Sequence, residues 1–146
     1  MIINELNVER TKKMIANAIE KPVIVLAQDD GYNRKLLEYG KFDILLFSEK
    51  SIRKNKLKSV DSGLNDFITG LAKKKHIALG FDLNDLRDRN LKDRAQLMIK
   101  IRQNIKICSK IGCKIRLFGS RDEKDSFSLL LSLGMPNKMA KEAISF

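Results

Sequence analysis

Residues 42–81, FDILLFSEKSIRKNKLKSVDSGLNDFITGLAKKKHIALGF, hold two short apolar runs joined by a basic loop and one helical segment. FDILLF (42–47) and HIALGF (76–81) have the length and composition of strands covered on both faces. The stretch between them is long enough for a right-handed parallel crossover through a helix. Within the loop, Lys50, Arg53, Lys54, Lys56 and Lys58 put five cations in nine residues, and no carboxylate follows until Asp61. A loop so placed leaves the carboxyl end of a parallel strand, where α/β proteins bind their ligands.

The same alternation extends in both directions. Upstream, MIINEL reads as a doubtful short strand. Asn7 is placed to cap a helix whose inner face takes Val8, Met14 or Ile15, Ala18 and Ile19. VIVLA after Pro22 is a β-branched strand, and a helix from about Tyr32 to Tyr39 is stopped by Gly40. The helix inside the opening stretch is expected over Ser62 to Lys75, capped by Asp61 or Ser62, with Leu64, Phe67, Ile68 and Leu71 inward. Downstream, Leu83 to Asp88 suggests a short helical turn. In Leu91 to Ile111, residues Leu91, Ala95, Met98, Ile101, Ile105 and Cys108 recur at spacings of 4, 3, 3, 4 and 3, the helical period. Gly112 closes that helix, CKIRLFGS is a further strand, and two helices follow, Ser126 to Leu133 and Asn137 to Ile144. The expected class is α/β with a parallel sheet in a single domain, 1–146. Four clear strands and one doubtful one fall short of a closed (β/α)₈ barrel. Either the sheet is open, or the barrel is incomplete and another chain covers its edges.

A chain of 146 residues with 43% apolar content can bury one core. No run approaches the roughly 20 apolar residues of a membrane span, and MIINELNVERTKK lacks signal-peptide anatomy, so a cytoplasmic protein is expected. Lysine and arginine number 29 against 18 acids, a net +11. Such a field attracts polyanions and makes nucleic acid the leading partner class. The bland alternative, lysine as a solvated surface residue, fits the clustering of the cations and the share of arginine less well. With few aromatic residues and no Trp, a base-stacking platform is poorly supported. Cys108 and Cys113 are expected to be reduced, semi-buried thiols, with no second Cys or His cluster to complete a zinc site.

Asp29 and Asp30 superficially suggest a phosphorylation receiver. However, the next strand ends in Phe47 and Ser48 rather than an aspartate, so turn and helix-cap chemistry is the better reading. The single His76 opens a strand, on the side opposite any strand-end site, and suits a surface or interface role. No GxxxxGK[ST], GxGxxG or GxSxG occurs, so catalysis by this chain alone is not expected. The cations are better candidates. Beside the 50–58 loop, Arg87, Arg89, Lys92 and Arg94 flank the next strand-end connection. Arg102, Lys106 and Lys110 form a stripe on the long helix, with Arg102 falling by angle inside the apolar arc.

NRKLLEYGKFDILLF, DSGLNDFITGLAKKKHIALGF, RAQLMIKIRQNIKICSKIGCKI, the strand-end FGS and LLLSLGMPNKMAKEAIS, in this order, resemble the thirty-kilodalton protein subunit family of ribonuclease P, from about Lys21 to the C-terminus. Asn33-Arg34, Gly63-Leu64-Asn65, Arg102-Gln103-Asn104 and Leu133-Gly134-Met135 are the most telling pieces. None is a catalytic signature, and the likeness rests on their order and spacing. The resemblance implies a TIM-barrel-like fold related to the PHP metal phosphoesterases. It further implies a subunit that assists a catalytic RNA in removing the 5′ leader of precursor tRNA, in company with a small RRM-like protein subunit as a heterodimer or heterotetramer. Arginine and lysine would then offset phosphate repulsion between RNA helices. The chain would bind no cofactor, while Mg2+ would serve the RNA-catalysed reaction.

The candidate RNA-binding residues are then Arg34, Lys50, Arg53, Lys54, Lys56, Lys58, Arg87, Arg89, Arg102 and Arg121, with no catalytic or metal-binding residue. Family members normally begin with further β/α units, so a shortened or incomplete barrel is implied, its open edge covered by a second copy or by the partner subunit. Two other functions compete. A PHP-like metal-dependent phosphoesterase is opposed by the single His and the lack of a strand-end HxH, and a small-molecule-binding α/β module would call for a neutral strand-end face.

Overall fold

The structure, a computed structural model, describes residues 1–47, 63–87 and 90–145. Strands β1 (Ile2–Ile3), β2 (Ile24–Leu26), β3 (Ile44–Phe47), β4 (Ala78–Asp82) and β5 (Ile115–Phe118) alternate with helices α1 (Val8–Ala16), α2 (Asp30–Tyr39), α3 (Asp66–Lys74), α4 (Asn84–Arg87) and α5 (Leu91–Ile111). Helices α6 (Glu123–Ser132) and α7 (Asn137–Ile144) end the described chain. Every strand pair is parallel and the order is β1-β2-β3-β4-β5.

Each β/α unit therefore adds its strand beside the previous one, with no reversal of order. A reversal would create the crevice of a doubly wound sheet. Among the described residues the helices contribute their core side chains to one face alone. Ile15, Leu36, Ile68, Ile105 and Leu130 pack with Ile3, Val25, Leu45, Leu79 and Ile115. Ile24, Ile44, Leu46 and Ala78 form a separate cluster on the other face, flanked by Leu26 and Phe118. Helices outside and strand residues inside is the arrangement of a β/α barrel, here of five parallel strands among the described residues, a shortened TIM-barrel-like fold.

Register explains how the inner face closes. Ile24, Ile44 and Ala78 form one row and Leu26, Leu46 and Gly80 the next, which Arg116 continues. A Cβ on Gly80 would lie 3.0 Å from Ile44 Cγ2, 3.0 Å from Phe118 Cε2 and 3.1 Å from Leu46 Cδ1. Gly80 is thus the gap through which the Phe118 ring fills the inside of the curve. At the edges, α7 lies against β5, where Arg116 Nη1 donates to the Glu142 carbonyl at 2.6 Å.

The helices begin where short polar side chains accept their orphan amides. Asn7, Asp29, Asn65, Asn90 and Asp122 cap α1, α2, α3, α5 and α6, each cap worth about 1 kcal/mol. Asp29 accepts from the Tyr32 amide at 2.8 Å, the cap chemistry expected of it. Gly40 and Gly112 end α2 and α5 in the left-handed conformation.

Several boundaries and faces differ from expectation. Helix α3 starts at Asp66 because Asn65 caps it, and the expected caps Asp61 and Ser62 lie outside the described residues. Asp122 caps α6, which starts at Glu123, three residues before Ser126. Helix α1 ends at Ala16, so Ile19 lies beyond it and is exposed, while Thr11 and Ile15 face inward. Phe67 and Leu91 are exposed as well. Helix α5 buries Leu97, Lys100, Ile101, Asn104, Ile105 and Cys108, so its inner arc is rotated from the expected one, and Arg102 is exposed rather than inside it. Both thiols are fully rather than partly buried. Hydrogen bonding to Cys113, together with burial, pushes the Cys108 thiol far up.

Candidate nucleic-acid interface

The carboxyl ends of β4 and β5 are joined by arginine. Asp82 Oδ1 accepts from the Asn84 amide at 2.9 Å, opening the α4 turn, and Arg87 then reaches back from the end of that turn. One guanidinium nitrogen donates to Asn84 Oδ1 and another to the Gly119 carbonyl at 2.6 Å. Arg94, on the first turn of α5, donates to the Leu86 and Arg87 carbonyls at 3.0 and 3.2 Å. Both arginines therefore fasten α4 between its neighbours, which a single-point lysine ammonium could not do.

With Arg121, these side chains line a cavity of about 520 Å³ whose other walls include Leu83, Leu86, Met98, Asp122, Asp125 and Ser126. Three guanidinium groups face two carboxylates, one of which, Asp122, is committed to the Asp125 amide at 3.0 Å. Arg121 is exposed and is the group best placed to meet an external phosphate.

The expected site residues thus separate into groups. Arg87 and Arg121 come together at the strand ends. Arg34 lies on the outer surface, its Nε 3.1 Å from Glu38 Oε1 and its guanidinium carbon 5.2 Å from the centre of the Phe67 ring. This cation–π contact gives the exposed Phe67 a partner. Arg102, Lys106 and Lys110 form an exposed stripe along α5, where Lys110 pairs with Asp66 of α3 at 3.1 Å. Lys50, Arg53, Lys54, Lys56, Lys58 and Arg89 lie outside the described residues.

A second basic region, at the opposite ends of the strands, was not anticipated. Lys21, Lys73, Lys114 and Arg116 line a cavity of about 730 Å³ with Asp43 as its one carboxylate among the described residues and Pro22, Ile44, Ile77 and Ala78 as apolar wall. His76 lies at this rim, exposed and at φ 58°, in keeping with a surface role. The available signal was Arg116, a cation in the middle of the apolar run IRLF. Among the described residues no group of three His, Cys, Asp or Glu side chains converges.

The pieces that carried the family resemblance are structural. The Asn33 side chain accepts from the Gln28 amide at 2.8 Å and donates to the Gln28 carbonyl at 3.2 Å, closing the turn into α2. Asn65 caps α3, Asn104 is buried in α5, and Met135 is buried after the turn at Gly134.

Fold and site together define a shortened, barrel-type α/β protein with cations at both ends of its sheet. No protein-family model matches the chain, and no curated protein matches it. Among solved structures it is similar to a chain in the cryo-EM structure of archaeal ribonuclease P with mature tRNA, with a TM-score of 0.77 at 19% identity. The likeness covers 97% of this chain and 61% of that one, so the chain spans about three-fifths of its structural neighbour's length. At this identity the likeness establishes the fold. Among the described residues no helix is long and apolar enough to cross a membrane.

Proposed function

We propose that this chain is a non-catalytic, RNA-binding protein subunit of ribonuclease P, assisting the catalytic RNA in removing the 5′ leader of precursor tRNA. The observation that carries the reading is the likeness of nearly the whole chain to a chain of a ribonuclease P–tRNA complex, joined to a net charge of +11. Exposed cations at Arg121 and along α5 support it, because phosphate neutralisation needs accessible charge. The work of such a subunit is electrostatic. It lowers the repulsion between RNA helices and so the Mg2+ concentration the RNA requires. Its partners are the catalytic RNA, a small RRM-like subunit and, indirectly, precursor tRNA, in the cytoplasm.

A second copy or the small subunit would cover the open β1 edge, where Met1, Ile2 and Leu6 are exposed. Sedimentation of the isolated chain as a stable monomer would speak against a second copy. Reconstitution tests the main reading: precursor-tRNA cleavage by the cognate catalytic RNA and the small subunit, with and without this chain. Cleavage should persist to lower Mg2+ when the chain is present. Identical rates and identical Mg2+ dependence would remove the proposal.

A further inference from the structure

The cavity at the amino ends of the strands has no part in the function proposed above, and its composition is unlike that of the strand-end arginine cluster. Its inner wall is aliphatic, from Ile44 and Ala78 on the concave face, with Pro22 and Ile77 at the rim. Its charge is one-sided, with four Lys or Arg side chains against Asp43.

Part of that charge has local work. Helices α5 and α7 direct carbonyl groups toward this end. Lys73 Nζ donates to the Ile111 carbonyl at 2.8 Å, and Arg116 donates to the Glu142 carbonyl, as cations at helix C-termini do. The remaining charge is less committed. Lys21 lies 3.6 Å from Asp43 in an exposed pair, and such pairs hold little energy. Asp43 itself is engaged by the Val23 amide at 2.6 Å. The Lys114 side chain is exposed and makes no hydrogen bond or ion pair among the described residues. By strand alternation from its register with β4, it lies on the same face as Ala78.

Three occupants are conceivable, and the lining separates them. RNA would bring phosphates for the lysines, but its sugar–phosphate backbone has nothing to place on Ile44, Ala78 and Pro22, and among the described residues no Phe, Tyr or Trp lines the cavity to stack a base, His76 standing exposed at the rim. A second copy of a chain carrying +11 would bring like charge to a cationic rim. A protein segment with carboxylates flanking an aliphatic side chain satisfies both wall and rim, and a cavity of about 730 Å³ accommodates such a side chain with its neighbouring backbone.

We propose that this mouth of the barrel docks an acidic protein segment, which inserts an aliphatic side chain against Ile44 and Ala78 and sets its carboxylates on Lys21 and Lys114. The site does not depend on the ribonuclease P reading, since a chain without effect on tRNA processing would still bind such a segment.

The test uses the full chain and a fluorescent peptide in which one leucine is flanked by glutamates, read by anisotropy. Saturable binding is expected. It should weaken about tenfold or more in Lys21→Glu/Lys114→Glu and be lost when the peptide leucine becomes serine. Lys106→Glu, which makes the same kind of charge reversal on the outer stripe of α5, should leave it unchanged. These positions are exposed, and circular dichroism of each variant verifies folding. Absence of peptide binding, or binding indifferent to the mouth variants, would overturn the proposal. So would displacement by an oligouridylate of equal charge with the same sensitivity to Lys21→Glu/Lys114→Glu, because the mouth would then be a phosphate site.

Discussion

Arg87 and Arg121 share one cavity, yet the structure gives them different work, and replacing each by alanine separates the two. Arg87 donates to Asn84 Oδ1 and to the Gly119 carbonyl, tying the β4 end to the β5 end. Hydrogen bonds from a charged donor contribute about 1.5–3 kcal/mol each when buried. This guanidinium is only half-buried, so screening by solvent brings the expected loss for Arg87→Ala to about 2–3 kcal/mol in all. For a domain of this size that is a fall in Tm of about 5–10 °C. Arg87→Lys should lose most of the same stability, since one ammonium cannot reproduce the two-point attachment. Exposed Arg121 has no side-chain partner among the described residues, so Arg121→Ala should stay within about 0.5 kcal/mol of the parent. RNA affinity measured against salt should respond in the opposite way. The slope of log K against log salt should fall by about 0.7–0.9 for Arg121→Ala, the change expected when one phosphate is no longer neutralised, and stay the same for Arg87→Lys. Arg87→Ala melting with the parent while losing salt slope would refute this assignment, because Arg87 would then serve RNA rather than the fold.

Replacing Arg53, Lys54, Lys56 and Lys58 together by alanine should lower the same salt slope by about three, and an unchanged slope would mean the loop touches no phosphate. Gly80→Val should cost about 1–3 kcal/mol in chemical denaturation by crowding Ile44, Leu46 and Phe118. Phe118→Leu should relieve part of that cost, and two independent, additive effects would refute the packing account. Burial raises the Tyr32 phenol above its ordinary value, so the folded state holds this proton more tightly than the unfolded chain does. The resulting stabilisation is complete below about pH 10 and lost as pH rises from there through the folded pKa. Tyr32→Phe, which leaves Thr11 Oγ1 bonded to the Asn7 carbonyl at 2.8 Å, should flatten the alkaline fall seen in thermal melts, and an identical pH profile would refute the assignment.

The strands were legible because buried parallel strands are apolar throughout, as in ILLF of β3. Helix α5, stopped at Gly112, and helix α7, started after Pro136, carried their bounds in the sequence. The inner arc of α5 did not. The helix has 21 residues, about 30 Å at helical rise, whereas β4 and β5, with 5 and 4 residues, reach about 15 Å. The first turns of α5 therefore overhang the sheet. Leu91 and Ala95 are exposed there although their spacing matches the apolar period, and counting them as inward turned the calculated arc toward Arg102. Periodicity shows that a helix has an apolar face, but not how much of its length meets a partner. The cavity at the amino ends was hidden for a related reason: its cations come from segments far apart in sequence, and only the register of β4 with β5 places Lys114 beside Ala78.

The two edges of the sheet are finished differently, and this bears on where the sheet can be extended. At β5 the edge is attended by α7, whose Ala140 and Ala143 enter the core and whose Glu142 carbonyl is held by Arg116. Among the described residues β1 pairs through two residues, with β2 alone, and Ile2 on the inner face is 59% exposed. An unpaired, apolar strand edge is what proteins ordinarily cover or charge; Met1, Ile2 and Leu6 present apolar side chains here, and the Met1 ammonium donates to the Pro22 carbonyl at 3.2 Å. Inside the curve, Phe118 already occupies the space over Gly80, so an added strand need not bring side chains to fill the centre. A strand added there would extend the sheet at β1 and continue the row of Ile24, Ile44 and Ala78 through Ile2. The arginine cluster at the carboxyl ends of β4 and β5 lies at the far side of the sheet from that edge, so pairing at β1 leaves it open to phosphate.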